Sequence, residues 1–200
     1  IRNNMRNKPP VDFDKFASEK SILFITTSPV KKALHGLANI FVSQAISELF
    51  TIADESAAGA LEIPTDIIFD DFATGAKVSD MPEKLSICRA KGIAFSGILL
   101  QSESQLKRMY GEYEAIEIID QCDSYVFFGG NNYETAKALS LKMNVPLDEI
   151  LYLPVGRIIV FRRGQKPVFS TRYDIFHDEF YQRITQSHTG QKDDPWPRDR

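Results

Sequence analysis

The segment Thr65-Asp66-Ile67-Ile68-Phe69-Asp70-Asp71-Phe72 constrains this chain more than any other. Its apolar, β-branched centre predicts a short buried strand, and two adjacent carboxylates follow at the strand's carboxyl end. Open α/β sheets place their ligands outside that end. Adjacent acids there suit a hydrated magnesium ion on one carboxylate and an attacking water oriented by the other. The phosphate-cradling loop G-x-x-x-x-G-K-[ST] that accompanies such acids occurs nowhere in the 200 residues. The chain therefore reads as one half of a nucleotide site.

Strand and helix signals alternate around this segment. Ser21–Thr27 reads as a strand closed by Ser28-Pro29, and Lys31 to about Asp54 as an amphipathic helix. After the acids comes a helix from about Asp80 to Lys91, with Pro82 in its first turn and Gly92 at its end. The apolar run Ile93–Gln101 predicts a strand covered on both faces. Helices around Glu103–Tyr110 and Glu112–Cys122, a strand Ser124–Phe128 and a helix Tyr133–Met143 follow. This order predicts a parallel sheet with right-handed crossovers. Gly156–Arg162 and Pro167–Tyr173 flank a turn and predict an antiparallel hairpin at its edge. Residues 1–20 read as a polar lead-in with little regular structure, 21–176 as the folded domain, and 185–200 as a disordered tail.

With 43% hydrophobic and 26% charged residues, the chain is globular. Its net charge of -3 argues against indiscriminate binding of nucleic acid or anionic membrane. No apolar stretch is expected to reach the ~20 residues of a membrane helix. Ile1 in place of a starting methionine reads as a fragment or a processed chain. Cys88 and Cys122 fit buried thiols in a reducing compartment, and His35, His177 and His188 show no metal spacing.

Gln101 ends the strand after the acidic pair. Consecutive strands of a parallel sheet present their ends on one rim, so Gln101 and Asp70 can face one ligand. An amide there can bond both the attacking water and a phosphate; the plainer alternatives are a capped loop for the acids and a solvated strand end for Gln101. Arg89 closes the intervening helix, where it either complements the helix dipole or reaches a nucleotide bound by an adjacent subunit. Arg157, Arg162, Arg163 and Lys166 on the hairpin could touch phosphates, although charged edge strands chiefly prevent sheet-to-sheet pairing.

The segment DIIFDDFATGAKVSDMPEKLSICRAKGIAFSGILLQSESQLKRMYG resembles the second half of the type IV secretion and conjugation coupling proteins, which are RecA-like P-loop ATPases. Ile119–Asp123, Val126–Gly130, Glu134-Thr135-Ala136 and the late segment LPVGRIIVFRRGQKPVFSTRY extend the likeness over roughly residues 11–175. The resemblance implies an α/β fold: the part of a RecA-like, mostly parallel sheet that follows an inserted helical domain, without its phosphate loop. It also implies a membrane-anchored hexamer at the cytoplasmic face of the bacterial inner membrane, though the present segment would be soluble. That hexamer would pass a relaxase–DNA complex or a secreted protein to the secretion channel. In this reading Asp70 is the magnesium-associated acid of the Walker B motif, Asp71 the catalytic base, Gln101 the sensor and Arg89 the finger to the next subunit. ATP and Mg2+ are expected only together with the missing amino-terminal half. One departure stands out: the family usually has glutamate where this chain has Asp71, which withdraws the carboxylate by about one bond length.

Two other readings compete. A catalytically silent RecA-like module would serve only assembly or docking. A phosphoacceptor receiver domain would need a third aspartate at a strand's carboxyl end and a lysine after a later strand. Here Asp123 precedes its strand, and Gly129-Gly130 stands where the lysine would be.

Overall fold

The computed structural model describes residues 11–26, 35–73 and 77–188, and the chain divides between Asp123 and Ser124 into two compact units. In the first unit a short helix α1 (Phe13–Ser18) is capped by Asp12, whose Oδ1 accepts from the Lys15 amide at 3.0 Å. The lead-in is thus partly helical. Residues 21–26 are irregular rather than a strand, and Ile22 and Phe24 are largely exposed. Thr27 and the start of the expected helix at Lys31 lie outside the described residues. A strand signal without a hydrogen-bonding neighbour does not make a strand.

Helix α2 (His35–Glu55) lays Ile46, Leu49 and Ala53 into the core. Contrary to the sequence expectation, Gly36–Glu55 is long and apolar enough, by length and composition, to cross a membrane. A core helix passes the same test, and the inner face of α2 packs with Ile67 and Phe95. These two residues belong to β1 (Thr65–Phe69) and β2 (Ile93–Ile98), which pair in parallel from Thr65↔Ile93 to Phe69↔Ile98. The register slips between Ile67 and Ile68, leaving Ser96 as the extra residue of a bulge.

Between these strands run α3 (Met81–Ile87) and a 3-10 turn (Cys88–Lys91), which ends at Gly92 with φ 70°. The Gly92 carbonyl accepts from the Thr65 amide, so the turn delivers β2 in register beside β1. Helices α4 (Glu103–Tyr110) and α5 (Glu112–Gln121) close the core through Leu106, Tyr110, Ala115 and Ile118. Asp66, Ile68 and Ser96 are exposed on the other face of the strand pair, where the Ser96 hydroxyl donates to Asp66 at 2.7 Å.

The second unit holds a three-stranded antiparallel sheet, β3 (Ser124–Phe127), β4 (Arg157–Arg162) and β5 (Val168–Thr171), in that order. The hairpin forms as expected, but it joins β3 instead of edging the parallel pair. Phe127, Ile159 and Phe161 on one face bury against Ala136 and Leu139 of α6 (Tyr133–Met143) and Ile150 of α7 (Leu147–Leu151). Helix α7 had no counterpart in the sequence reading. A 3-10 turn (Ile175–His177) and α8 (Glu179–His188) follow, so residues 185–188 of the expected tail are helical.

Candidate active site

Backbone bonds fix the carboxyl edge of the parallel pair. The Leu99 amide donates to the Phe69 carbonyl and the Phe72 amide to the Leu99 carbonyl, both at 2.9 Å. These two bonds tie the turn carrying Asp70 and Asp71 to the end of β2. Asp71 adopts a left-handed backbone (φ 54°), a conformation that non-glycine residues seldom occupy and that clusters at functional sites.

Gln101 lies three residues beyond Ile98, where β2 ends, so the strand is three residues shorter than expected and Gln101 follows it. Its Nε2 donates to Asp71 Oδ1 at 3.0 Å, joining the ends of the two strands through side chains. Gln105, one turn along, donates from Nε2 to Gln101 Oε1 at 3.3 Å. Gln105 Oε1 is buried and has no hydrogen-bond partner. Sequence reasoning missed Gln105, although its i+4 spacing from Gln101 was legible. Asp70 is exposed beside Asp71 on the same turn.

Arg89 is not part of this cluster. It is exposed in the 3-10 turn just ahead of β2, at the amino edge of the strands. The length of β1 separates the two edges, roughly 13–16 Å at 3.3 Å per residue. Neighbouring Lys91 is paired with Asp54.

A buried support holds the segment that follows the acids. Phe72 stacks on Tyr110 with ring centroids 5.7 Å apart. The Tyr110 hydroxyl accepts from the Val78 amide at 2.9 Å and donates to the Val78 carbonyl at 3.2 Å. Burial is the main reason the phenol's pKa is pushed up from 10.0 to about 12. Burial likewise raises the Cys88 thiol, which donates to the Leu85 carbonyl.

Two adjacent exposed carboxylates, one of them held by a carboxamide, suit a hydrated divalent cation, whose waters would donate to their oxygens. The phosphate loop G-x-x-x-x-G-K-[ST] that accompanies such acids does not occur in the sequence.

Comparison with known proteins bears on this geometry. Residues 64–143, which contain the acids, Arg89, Gln101 and Gln105, match a family model described as the TraM recognition site of TraD and TraG. Over that segment the chain is similar to the TraD and TraG proteins. Solved coupling proteins give the same answer for the fold. The bacterial conjugative coupling protein TrwB, in a trigonal form with sulphate, aligns with TM-score 0.57 at 23% identity over 70% of this chain. TrwB with ADP and Mg2+ aligns with TM-score 0.57 at 23% identity, and TrwB with a non-hydrolysable ATP analogue with 0.55 at 24%; each covers 70% of this chain and 36% of the other. The likeness shows a RecA-like α/β fold. The chain spans just over a third of the length of these coupling proteins (37% of the first). No curated protein sequence matches it.

Proposed function

We propose that this chain is the Walker-B-containing part of a coupling ATPase of conjugation or type IV secretion, which moves DNA or protein into a secretion channel. The observation that carries the reading is the hydrogen bond from Gln101 to Asp71 across the carboxyl edge of two parallel strands. Asp70 would hold Mg2+ through its waters, and the ion would offset phosphate charge. Asp71 would take a proton from the attacking water, its carboxylate held in place by the bond that Oδ1 accepts from Gln101. Gln101 orients that carboxylate and links its position to β2, so nucleotide state can be transmitted along the strand. Arg89, exposed at the opposite edge, serves a neighbouring subunit of a hexamer, because it cannot reach the acids of its own chain.

The exposed face of the strand pair supports the reading too. Parallel sheets are ordinarily covered on both faces. Here Ile68 and Leu99 remain exposed, and the TrwB structures, for which nucleotide complexes exist, are much longer than this chain. Membrane attachment at the cytoplasmic face of the inner membrane, hexamer formation and contact with a relaxase–DNA complex or channel components belong to the same proposal for the whole protein.

A silent docking module is the second reading. It is favoured by the shortened Asp71 side chain and by a matched segment whose family description is a partner-recognition site. The test uses this chain alone and a parent protein that includes a phosphate loop. The isolated 200 residues are expected to show no ATP turnover, and the longer protein to hydrolyse ATP and to lose this with Asp70→Asn. An inactive longer protein that Asp71→Glu does not rescue would leave docking of a TraM-like partner as the function.

A further inference from the structure

The second unit contains a cavity of about 240 Å³ where β3 ends, distinct from the acidic edge in the first unit. Its lining includes Gly129, Gly130 and Asn131 from the loop after β3, Arg157 from the start of β4 and Arg172 from the end of β5, with apolar residues such as Leu153 beside them. The Arg172 amide donates to the Gly156 carbonyl at 2.7 Å, which fixes the two strand ends beside each other. The loop backbone is open: Gly129 and Gly130 have φ of 91° and 156°, and a Cβ on Gly130 would meet nothing within 4 Å.

The charged residues of the lining are both cationic, Arg157 and Arg172, in a chain whose net charge is -3. One anion competes: the Asp174 carboxyl, held low first by its hydrogen bond to His177, also feels the Arg172 charge, so a bound phosphate has to share that guanidinium with it. Edge protection accounts for charges along exposed strands. It does not account for two arginines from different strands lining one cavity with a Gly-Gly loop.

We infer that this cavity binds a phosphate group, held by the Arg157 and Arg172 guanidiniums against the Gly129–Asn131 backbone. Arginine suits the role because its fork of donors matches phosphate oxygens. The cavity is smaller than the roughly 300–1,000 Å³ of ordinary small-molecule pockets, so it takes the phosphate and leaves the rest of the ligand outside. That phosphate belongs either to a nucleotide or to a nucleic-acid strand crossing the unit. The inference does not depend on the hydrolytic reading of Asp70 and Asp71.

The test titrates the 200-residue chain with inorganic phosphate, ATP and a fluorescein-labelled 20-nucleotide oligo(dT), following backbone amide resonances and fluorescence anisotropy. Phosphate is expected to shift the Gly129 and Gly130 amides, and the shifts to vanish in Arg157→Gln/Arg172→Gln. Lys137→Gln/Lys166→Gln, which removes equal charge outside the cavity, is expected to retain them. If a strand is the source, the arginine double variant loses roughly two- to thirtyfold affinity for the oligonucleotide, the range for two exposed ion pairs. Its log K against log salt slope then falls by about 1.4. If a nucleotide is the source, ATP shifts the same amides and the oligonucleotide does not. Amides unmoved by all three probes would overturn the inference, as would shifts that survive the arginine double variant or disappear equally in the lysine pair. If the double variant is not folded by circular dichroism, Arg157→Gln alone is read against the same criteria.

Discussion

Tyr110→Phe should separate a structural support of the acidic turn from ordinary core packing. The ring and its stacking on Phe72 are retained in the variant, so only the hydroxyl is lost. Val78 is 2% exposed, and its amide and carbonyl both bond that hydroxyl. Leaving the buried amide without an acceptor costs about 1–3 kcal/mol, and the carbonyl adds to this, so a loss of about 2–3 kcal/mol is expected at neutral pH. Urea unfolding followed by far-UV circular dichroism should show a lower midpoint with an unchanged slope.

The same side chain predicts a pH dependence with a definite sign. In the unfolded chain the phenol ionises near its ordinary 10.0, whereas the folded protein holds the proton to about 12. Its stabilising contribution is complete below pH 10 and is lost as pH rises through 12. That difference corresponds to roughly 2–3 kcal/mol, so the gap between the parent chain and Tyr110→Phe should shrink by about that amount across this window. A gap under about 0.5 kcal/mol at pH 7, or one that stays constant to pH 12, would refute the assignment of the buried hydroxyl.

Two further outcomes follow from backbone geometry. Gly92→Ala forces a left-handed φ of 70° on an L-residue and places its Cβ 3.3 Å from the Leu61 carbonyl oxygen; a loss of at least about 1–2 kcal/mol is expected in urea unfolding, and an unchanged midpoint would show that the turn relaxes freely. Asn132→Ala removes the acceptor that bonds the Thr135 amide at 2.9 Å at the start of α6, and should cost about 1 kcal/mol, restored by Asn132→Asp.

Local chemistry made the acidic edge legible. The apolar run before Asp70 and Asp71 and the one before Gln101 have no stable alternative to paired strands once α2 supplies an apolar face. Proline in the first turn of α3 and glycine at the close of the following 3-10 turn marked where β2 begins. The bond between Gln101 and Asp71 could be anticipated only as a shared rim. Its formation depends on the left-handed turn at Asp71 and on the bulge at Ser96, which sets how far β2 extends beside β1. Arg89 stands in a 3-10 turn beyond the end of α3, not in the expected helix, and whether it faced the acids depended on which end of the strands that turn occupied.

Sequence alone determined the short-range features: which segments are apolar, where glycine and proline stop them, and which polar groups stand at their ends. Tertiary structure decided what each segment pairs with. Residues 21–26 carry a strand composition yet remain irregular, and β3 runs antiparallel to β4 instead of extending the parallel pair. Strand pairing joins residues distant in sequence, and its direction and register come from burying Phe127, Ile159 and Phe161 together against α6. The Val78–Tyr110 clasp has the same origin, since neither residue alone signals a buried bond across 32 positions.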